Sequence, residues 1–382
     1  MSKERNKQGL TAFGIASTYV GTIIGAGYAS GQEILQFFNA FYEKGLIGIV
    51  VATLLFIVAG YVPMMVGKRL NSGDYNQVIS IGKTQLAKIF SDIVITFTLF
   101  STLTIMIAAS GTTFMQNFGM PLVAGGLIMC ALLMVSLFTG LDGIVKALSA
   151  VVPVMVLGAF ATSLYFTLNP VPVVDAIKEI VVNSSPLIKH WSLSGLLYVT
   201  FNYVVAIAVN ISLGQQARST KDIRNGALAG GLILGFCAFA LYVALGKNLH
   251  VIGTSDLPIV DLVKTVSPTF GSLYSIILFA GLYSTAISCF YGVYQRFVQL
   301  PVLKKVGNKA IIVSITAVSL AASMLGFSNL IGYVYPGIGY AGIIILGITI
   351  YKYTKTEKLA EEDATASTAL EKEQLEVKKQ YR

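Results

Sequence analysis

The chain has 382 residues, 55% of them hydrophobic and 12% charged, with a mean hydropathy of +0.74, a balance too apolar for a soluble globular domain. The formal net charge of +9 does not indicate nucleic acid, because the basic residues are scattered through short loops between apolar runs rather than gathered on one face. Cys130, Cys237 and Cys289 lie inside apolar runs without disulfide or metal spacing, and His190 and His250 stand alone, so no transition-metal site is expected.

A membrane helix needs about 20 predominantly apolar residues. Ten such segments follow one another at 10–40, 45–67, 89–116, 120–140, 143–168, 192–214, 225–246, 270–295, 310–327 and 330–351. The opening SKERNK is not the start of a secretory signal, since the apolar run behind it is too long. With the N-terminus inside, fifteen lysines and arginines fall on the cytoplasmic side even without the C-terminal tail, among them Lys68, Arg69, Arg218 and Arg296. Only five, Lys44, Lys178, Lys189, Lys247 and Lys264, fall on the other. This positive-inside bias places both termini in the cytoplasm. Asp92 and Lys146 then lie near cytoplasmic helix ends. Residues 169–191 are too polar to span and form an extracellular linker between a first half, 10–168, and a second, 192–352. An odd number of spans in each half makes the halves inverted relative to one another, an arrangement common in secondary transporters. Residues 1–9 and 353–382 form cytoplasmic ends, the latter polar and flexible or loosely helical.

Within the first span, GTIIGAGYASGQE carries Gly21, Gly25, Gly27 and Gly31, followed by Gln32 and Glu33. Glycine costs a helix interior about 1 kcal/mol relative to alanine, and a carboxylate is expensive in lipid. Ser17, Gly21 and Gly25, at spacing four, would let two helices approach closely. Alternatively, Gly25-Ala26-Gly27 lets the helix unwind in mid-membrane and offers bare carbonyls and amides to a hydrated site. The central position of Gly25 favours unwinding. A half-helix beginning after Gly27 would aim its positive end at an anionic or zwitterionic solute. Eight residues beyond Gly25 on a straight helix, Glu33 would lie about 12 Å outward, near the external edge of the hydrocarbon. There it serves a hydrated vestibule or, if buried, carries a proton or attracts a cationic solute.

The sixth span places Thr200, Phe201, Asn202 and Tyr203 at its middle, with no glycine or proline between Gly195 and Gly214 to signal unwinding. Asn202 must face protein or water, either in a binding site or as a tie between helices. Phe201 and Tyr203 either wall a pocket or simply pack. In the eighth span Ser284 and Ser288 share a helix face, with Thr285 beside them. Their hydroxyls suit a hard cation, which wants oxygen ligands, or else bond back to their own helix.

The run Gly21 to Gly27 resembles the unwound first helix of LeuT-fold transporters. GAGYASGQEILQFF resembles the opening of the YkvI-like bacterial membrane proteins of the amino acid-polyamine-organocation superfamily. Phe279 to Ser284 is similar to the helix 8 segment with which sodium-coupled members hold their ion, and TSDLPIVDLVKTVSP to the extracellular lid between helices 7 and 8. The resemblance implies an all-α integral membrane protein of LeuT-like fold, ten helices in a 5+5 inverted repeat, with helix 1 broken and helix 6 a candidate for the same. It implies a sodium site from the carbonyls of Gly21, Ile24 and Ala280 and the hydroxyl of Ser284. Tyr283 stands where the pattern has a small hydroxyl residue, which leaves Thr285 or Ser288 to supply the missing oxygen. Solute contacts would come from Gly25, Ala26, Gly27, Thr200, Asn202 and Tyr203.

The expected function is therefore ion-coupled secondary transport, with sodium as the ion and no other cofactor. The cargo would be an amino acid or related amine, moved by alternating access across the bacterial inner membrane. The partners expected are a small solute and the lipid bilayer, not nucleic acid. The alternatives are proton coupling through Glu33 or a passive channel, although no filter-like repeat is present. No H-E-x-x-H, nucleophile elbow, P-loop or paired carboxylates occur on any span, so the chain is not expected to be an enzyme.

Overall fold

A computed structural model describes the backbone of residues 9–75, 78, 85–139, 151–173, 181–300, 302 and 307–380. The beginning of the fifth apolar segment and Lys146 lie outside the described residues. Among the described residues the regular elements are helices, together with one parallel bridge between Leu10 and Ala217. The first segment is divided into α1 (Ala12–Ile23), α2 (Ala26–Ala29) and α3 (Gln32–Phe37). There follow α4 (Lys44–Leu70), α5 (Gln85–Phe118), α6 (Leu122–Thr139), α7 (Val151–Leu168), α8 (Trp191–Gln216) and α9 (Thr220–Gly246). Two short helices, α10 (Leu249–Ile252) and α11 (Pro258–Val266), lead into α12 (Pro268–Gln299), α13 (Asn308–Ser323) and α14 (Phe327–Gln380). Six of these, α4, α5, α8, α9, α12 and α14, contain stretches long and apolar enough to cross a membrane by themselves. Helices α1, α6, α7 and α13 contain shorter apolar stretches.

Two packed groups result. Helices α1, α4, α8 and α9 form one, α5, α6, α12 and α13 the other, and α14 runs along α8, α4 and α5. Small residues hold the first group together because helices in lipid associate by close packing rather than by exclusion of water. Gly195 meets the Gly48 carbonyl, Gly67 that of Ile211, and Gly214 that of Met64, so α4 and α8 touch backbone to backbone. Tyr19 of α1 lies against Gly60 and Gly230, and its hydroxyl donates to the Phe56 carbonyl at 2.8 Å. At the end of the molecule where the chain begins, the Leu10 amide donates to the Gln216 carbonyl at 2.8 Å and the Arg218 amide to the Leu10 carbonyl at 3.0 Å. Asp222 accepts the Ala12 amide at 3.1 Å. The start of α1 is thereby fixed to the α8–α9 connection.

The sixth span is not broken. Helix α8 runs without interruption, and the Asn202 side chain donates to the Tyr198 carbonyl of its own helix at 2.9 Å. With no glycine or proline in its centre, nothing offsets the loss of helical hydrogen bonds. At the other end of the chain the tenth apolar segment and the polar tail form one helix. Its continuation is attached to α4, where Arg69 pairs with Glu357 at 3.1 Å and lies 4.4 Å from the centre of the Tyr353 ring.

Candidate functional site

Helix α1 is capped by Thr11 and stops at Ile23; Ile24 (φ −75, ψ 94) and Gly25 (φ −107, ψ −172) are extended. The interruption therefore lies one step earlier than Gly25-Ala26-Gly27, and Ala26 and Gly27 already belong to α2. A helix end leaves its last carbonyls without intrahelical partners, and Gly21 is in that last turn. Helix α2 has only four residues before Gly31, whose φ of 84 lies in the left-handed region that favours glycine. The half-helix expected beyond the break is thus two short pieces of four and six residues, too short to aim an extended dipole at an anion.

The left-handed turn also relocates Glu33. Rather than standing in an outer vestibule, its side chain is buried, with 6% of the residue exposed, and reaches back toward the break. Its Oε1 fills the space where a side chain on Gly27 would begin, and its Oε2 accepts from the Tyr198 hydroxyl at 3.4 Å. A straight-helix extrapolation fails because the chain turns at Gly31.

A cavity of about 430 Å³ surrounds the interruption, walled by the first segment together with α5, α7, α8, α12 and α14. Of the residues expected from sequence, Gly21, Ile24, Gly25, Ala26, Gly27, Glu33, Asn202, Ser284, Thr285 and Ser288 line it. Thr200 and Tyr203 do not. They lie on the other face of α8, where Thr200 donates to the Gly339 carbonyl at 2.8 Å and Tyr203 to the Thr349 hydroxyl at 2.6 Å. Ala280 is also outside the lining; α12 is continuous there, so its carbonyl belongs to the helical ladder. Tyr283 points away and pairs with Ser136 of α6.

Thr285 donates to the Gly281 carbonyl at 3.2 Å and Ser288 to the Ser284 carbonyl at 3.0 Å. These back-bonds use the hydroxyl hydrogens and leave the oxygen lone pairs available to a cation. The Thr285 oxygen lies 4.0 Å from where a β-carbon on Gly25 would sit, so it faces the interruption.

Sequence reasoning missed Tyr335, Thr102 and Met106, and it named Phe201 only as an aromatic that could equally pack. Phe201 and Tyr335 stack in the wall with ring centres 4.4 Å apart and planes at 12°. Tyr335 precedes Pro336 within α14, but nothing about that dipeptide signals a cavity. Among the described lining residues, Glu33 is the one Asp, Glu, Lys, Arg or His.

Of the lining residues Gly21, Val205 and Ser288 are exposed, whereas residues 26–39 are all buried. The buried stretch beyond the interruption is held by the Ile259 amide of α11, which donates to the Ser30 carbonyl at 3.1 Å, and by the Tyr274 hydroxyl, which donates to the Ala29 carbonyl at 2.7 Å.

No protein-family model matches the chain. It is 28% identical over 343 residues to the uncharacterized membrane protein YkvI of Bacillus subtilis (strain 168), covering 88% of this chain and 95% of the relative. It is 27% identical over 333 residues to the uncharacterized protein YyaD of the same organism, covering 86% and 92%. Among solved structures, the inward facing conformation of Mhp1 matches with a TM-score of 0.64 at 14% identity, over 91% of this chain and 77% of that one. Mhp1, a nucleobase-cation-symport-1 family transporter, in a closed conformation with bromovinylhydantoin bound gives 0.57 at 15% identity, over 89% and 78%. A mutant manganese transporter of Eremococcus coleocola gives 0.56 at 13% identity, over 92% and 80%. The chain is a multi-pass membrane protein similar over nearly its whole length to the YkvI-like proteins, and it has the LeuT-type fold of these transporters.

Proposed function

We propose that the protein is an ion-coupled secondary transporter of a small organic solute, of the amino acid or amine class, working by alternating access across the cytoplasmic membrane. The observation that carries this reading is the cavity at the Ile24–Gly25 interruption, where extended backbone inside the first span shares one space with a buried carboxylate and with the hydroxyls of α12. Alternating access requires a central site that faces one side at a time. The two five-helix halves, 10–168 and 192–352, joined by the extracellular linker 169–191, supply the moving group α1, α4, α8 and α9 and the group it moves against.

Sodium is the coupling ion in this reading. The carbonyls of Gly21 and Ile24 on the first segment and the hydroxyls of Ser284, Thr285 and Ser288 on α12 offer oxygen ligands around the cavity. Proton coupling is the second reading, favoured by the burial of Glu33 in the same cavity. The test is uptake of labelled amino acids and amines into proteoliposomes under an inward sodium gradient or an inward proton gradient. Accumulation driven by sodium is the expected result. Accumulation that follows the proton gradient and ignores sodium transfers the coupling to Glu33. A passive conductance with no accumulation under either gradient ends the transporter reading.

A further inference from the structure

Resting on the transporter reading of this cavity, we infer that Glu33 is the counter-ion of the cargo and that the site takes a compact organic monocation, an amine without a carboxylate, rather than a zwitterionic amino acid. The charge inventory of the walls carries this. Glu33 is the one Asp, Glu, Lys, Arg or His among the described residues that line the cavity. Gly27, opposite it, leaves the space that its carboxylate occupies, so the backbone is shaped around this group. The one hydrogen bond found for the carboxylate is the 3.4 Å contact from Tyr198, which leaves most of its acceptor capacity free for a donor in the cavity. A buried carboxylate needs an opposite charge or several donors, because desolvation disfavours its ionised form. An ammonium group meets that need and brings its own hydrogen-bond donors.

The cargo's remaining surface would meet apolar walls, including Leu99, Met106, Met155 and Val209. A zwitterion would bring a second carboxylate into these surroundings. No lysine or arginine among the described lining residues can pair with it, and the four residues of α2 form no extended helix whose dipole could. Among the described lining groups it would meet uncharged donors, the Thr102 and Tyr335 hydroxyls and the first amides of α2, or a sodium ion held near Thr285. A divalent metal is also a poor match: one carboxylate would leave it with a net positive charge, and the described residues hold no cluster of three His, Cys, Asp or Glu side chains.

The experiment compares solutes that differ only in the carboxylate. Thermal unfolding of the purified full chain in detergent is followed against isoamylamine and leucine, and against phenethylamine and phenylalanine, with and without sodium, and against manganese alone. Bound ligand raises the midpoint by mass action. The amine is expected to act at concentrations lower than its amino acid by about tenfold or more, the weight of one charge-assisted hydrogen bond. Glu33→Gln is expected to lose the amine response, and Glu33→Asp to keep part of it. The wild-type comparison decides the matter even if the Gln variant does not fold. Stabilisation by the amino acid at equal or lower concentration, in either salt, overturns the inference, as does a response to manganese alone or an amine response that survives Glu33→Gln in folded protein. If the amino acid is selected and also accumulates in proteoliposomes, the transporter reading survives without this inference. If no solute binds or accumulates, both fall.

Discussion

Gly27 and Glu33 are in contact across the turn at Gly31: the Oε1 of the carboxylate occupies the position from which any side chain on residue 27 would grow. A chain that runs α2, left-handed turn, α3 folds Glu33, the one charged side chain among the described lining residues, back onto Gly27 six residues upstream, just past the interruption. The carboxylate and the bare backbone of Gly25 therefore belong to one site, with Thr285 on its far side.

Gly27→Ala tests that contact directly. The methyl group must displace the carboxylate, and overpacking of this kind costs about 1–3 kcal/mol when the neighbours cannot relax. The expected outcome is folded protein with a lower unfolding midpoint and solute uptake reduced by at least about tenfold. Unchanged uptake would mean that Glu33 has no part in holding the cargo.

Thr285→Ala addresses the opposite wall. Removing one oxygen ligand from a hard-cation site should raise the sodium concentration giving half-maximal uptake by about tenfold, whereas Thr285→Ser should leave it nearly unaltered. A sodium titration of uptake in proteoliposomes measures both. If alanine and serine variants titrate like the wild type, the hydroxyl only bonds back to Gly281.

The parts of this site that were legible in the sequence are those where a backbone requirement writes itself as a residue type. Gly25 near the centre of an apolar run signals an interruption because a helix in lipid tolerates one only beside a cavity. The continuity of α8 was equally readable in the lack of glycine or proline between Gly195 and Gly214. The position of Glu33 was not, because its distance was measured along a straight helix while Gly31, visible in the same stretch, takes φ 84 and turns the chain. Thr200 and Tyr203 follow from their place at the middle of the span and from the resemblance to the LeuT fold. Depth does not give the face, and those two turn toward α14 while Asn202 and Phe201, their neighbours, turn toward the cavity. Tyr335 reaches the wall only through the packing of α14 against α8, a long-range relation with no local signature.

Outside the spans, the loop before α11 carries a pH-dependent term. Burial, and secondarily the neighbouring Asp261 carboxylate, push the Asp256 carboxyl above its ordinary value. The folded protein thus holds this proton more tightly than the unfolded chain does. The stability it contributes is fully present below the ordinary carboxylate range and is lost as pH rises through the raised value. Midpoints measured from acid to neutral pH should fall less steeply for Asp256→Asn than for the wild type. Parallel curves for the two proteins would show that this carboxyl is as well solvated folded as unfolded.

The bridge between Leu10 and Ala217 bears on which parts move. Two backbone hydrogen bonds and the Asp222 cap tie the start of α1 to the α8–α9 connection, and Tyr19 is seated between Gly60 and Gly230. Swinging α1 out alone would break all of these at once, whereas tilting α1, α4, α8 and α9 as a body keeps them. Bridge partners lie about 5 Å apart, within the range that a disulfide can span. Leu10→Cys with Ala217→Cys, oxidised, should therefore transport solute at a rate close to that of the reduced form. Transport abolished on oxidation and restored by a reductant would mean that α1 separates from its neighbours during the cycle, and that the four helices do not move as one.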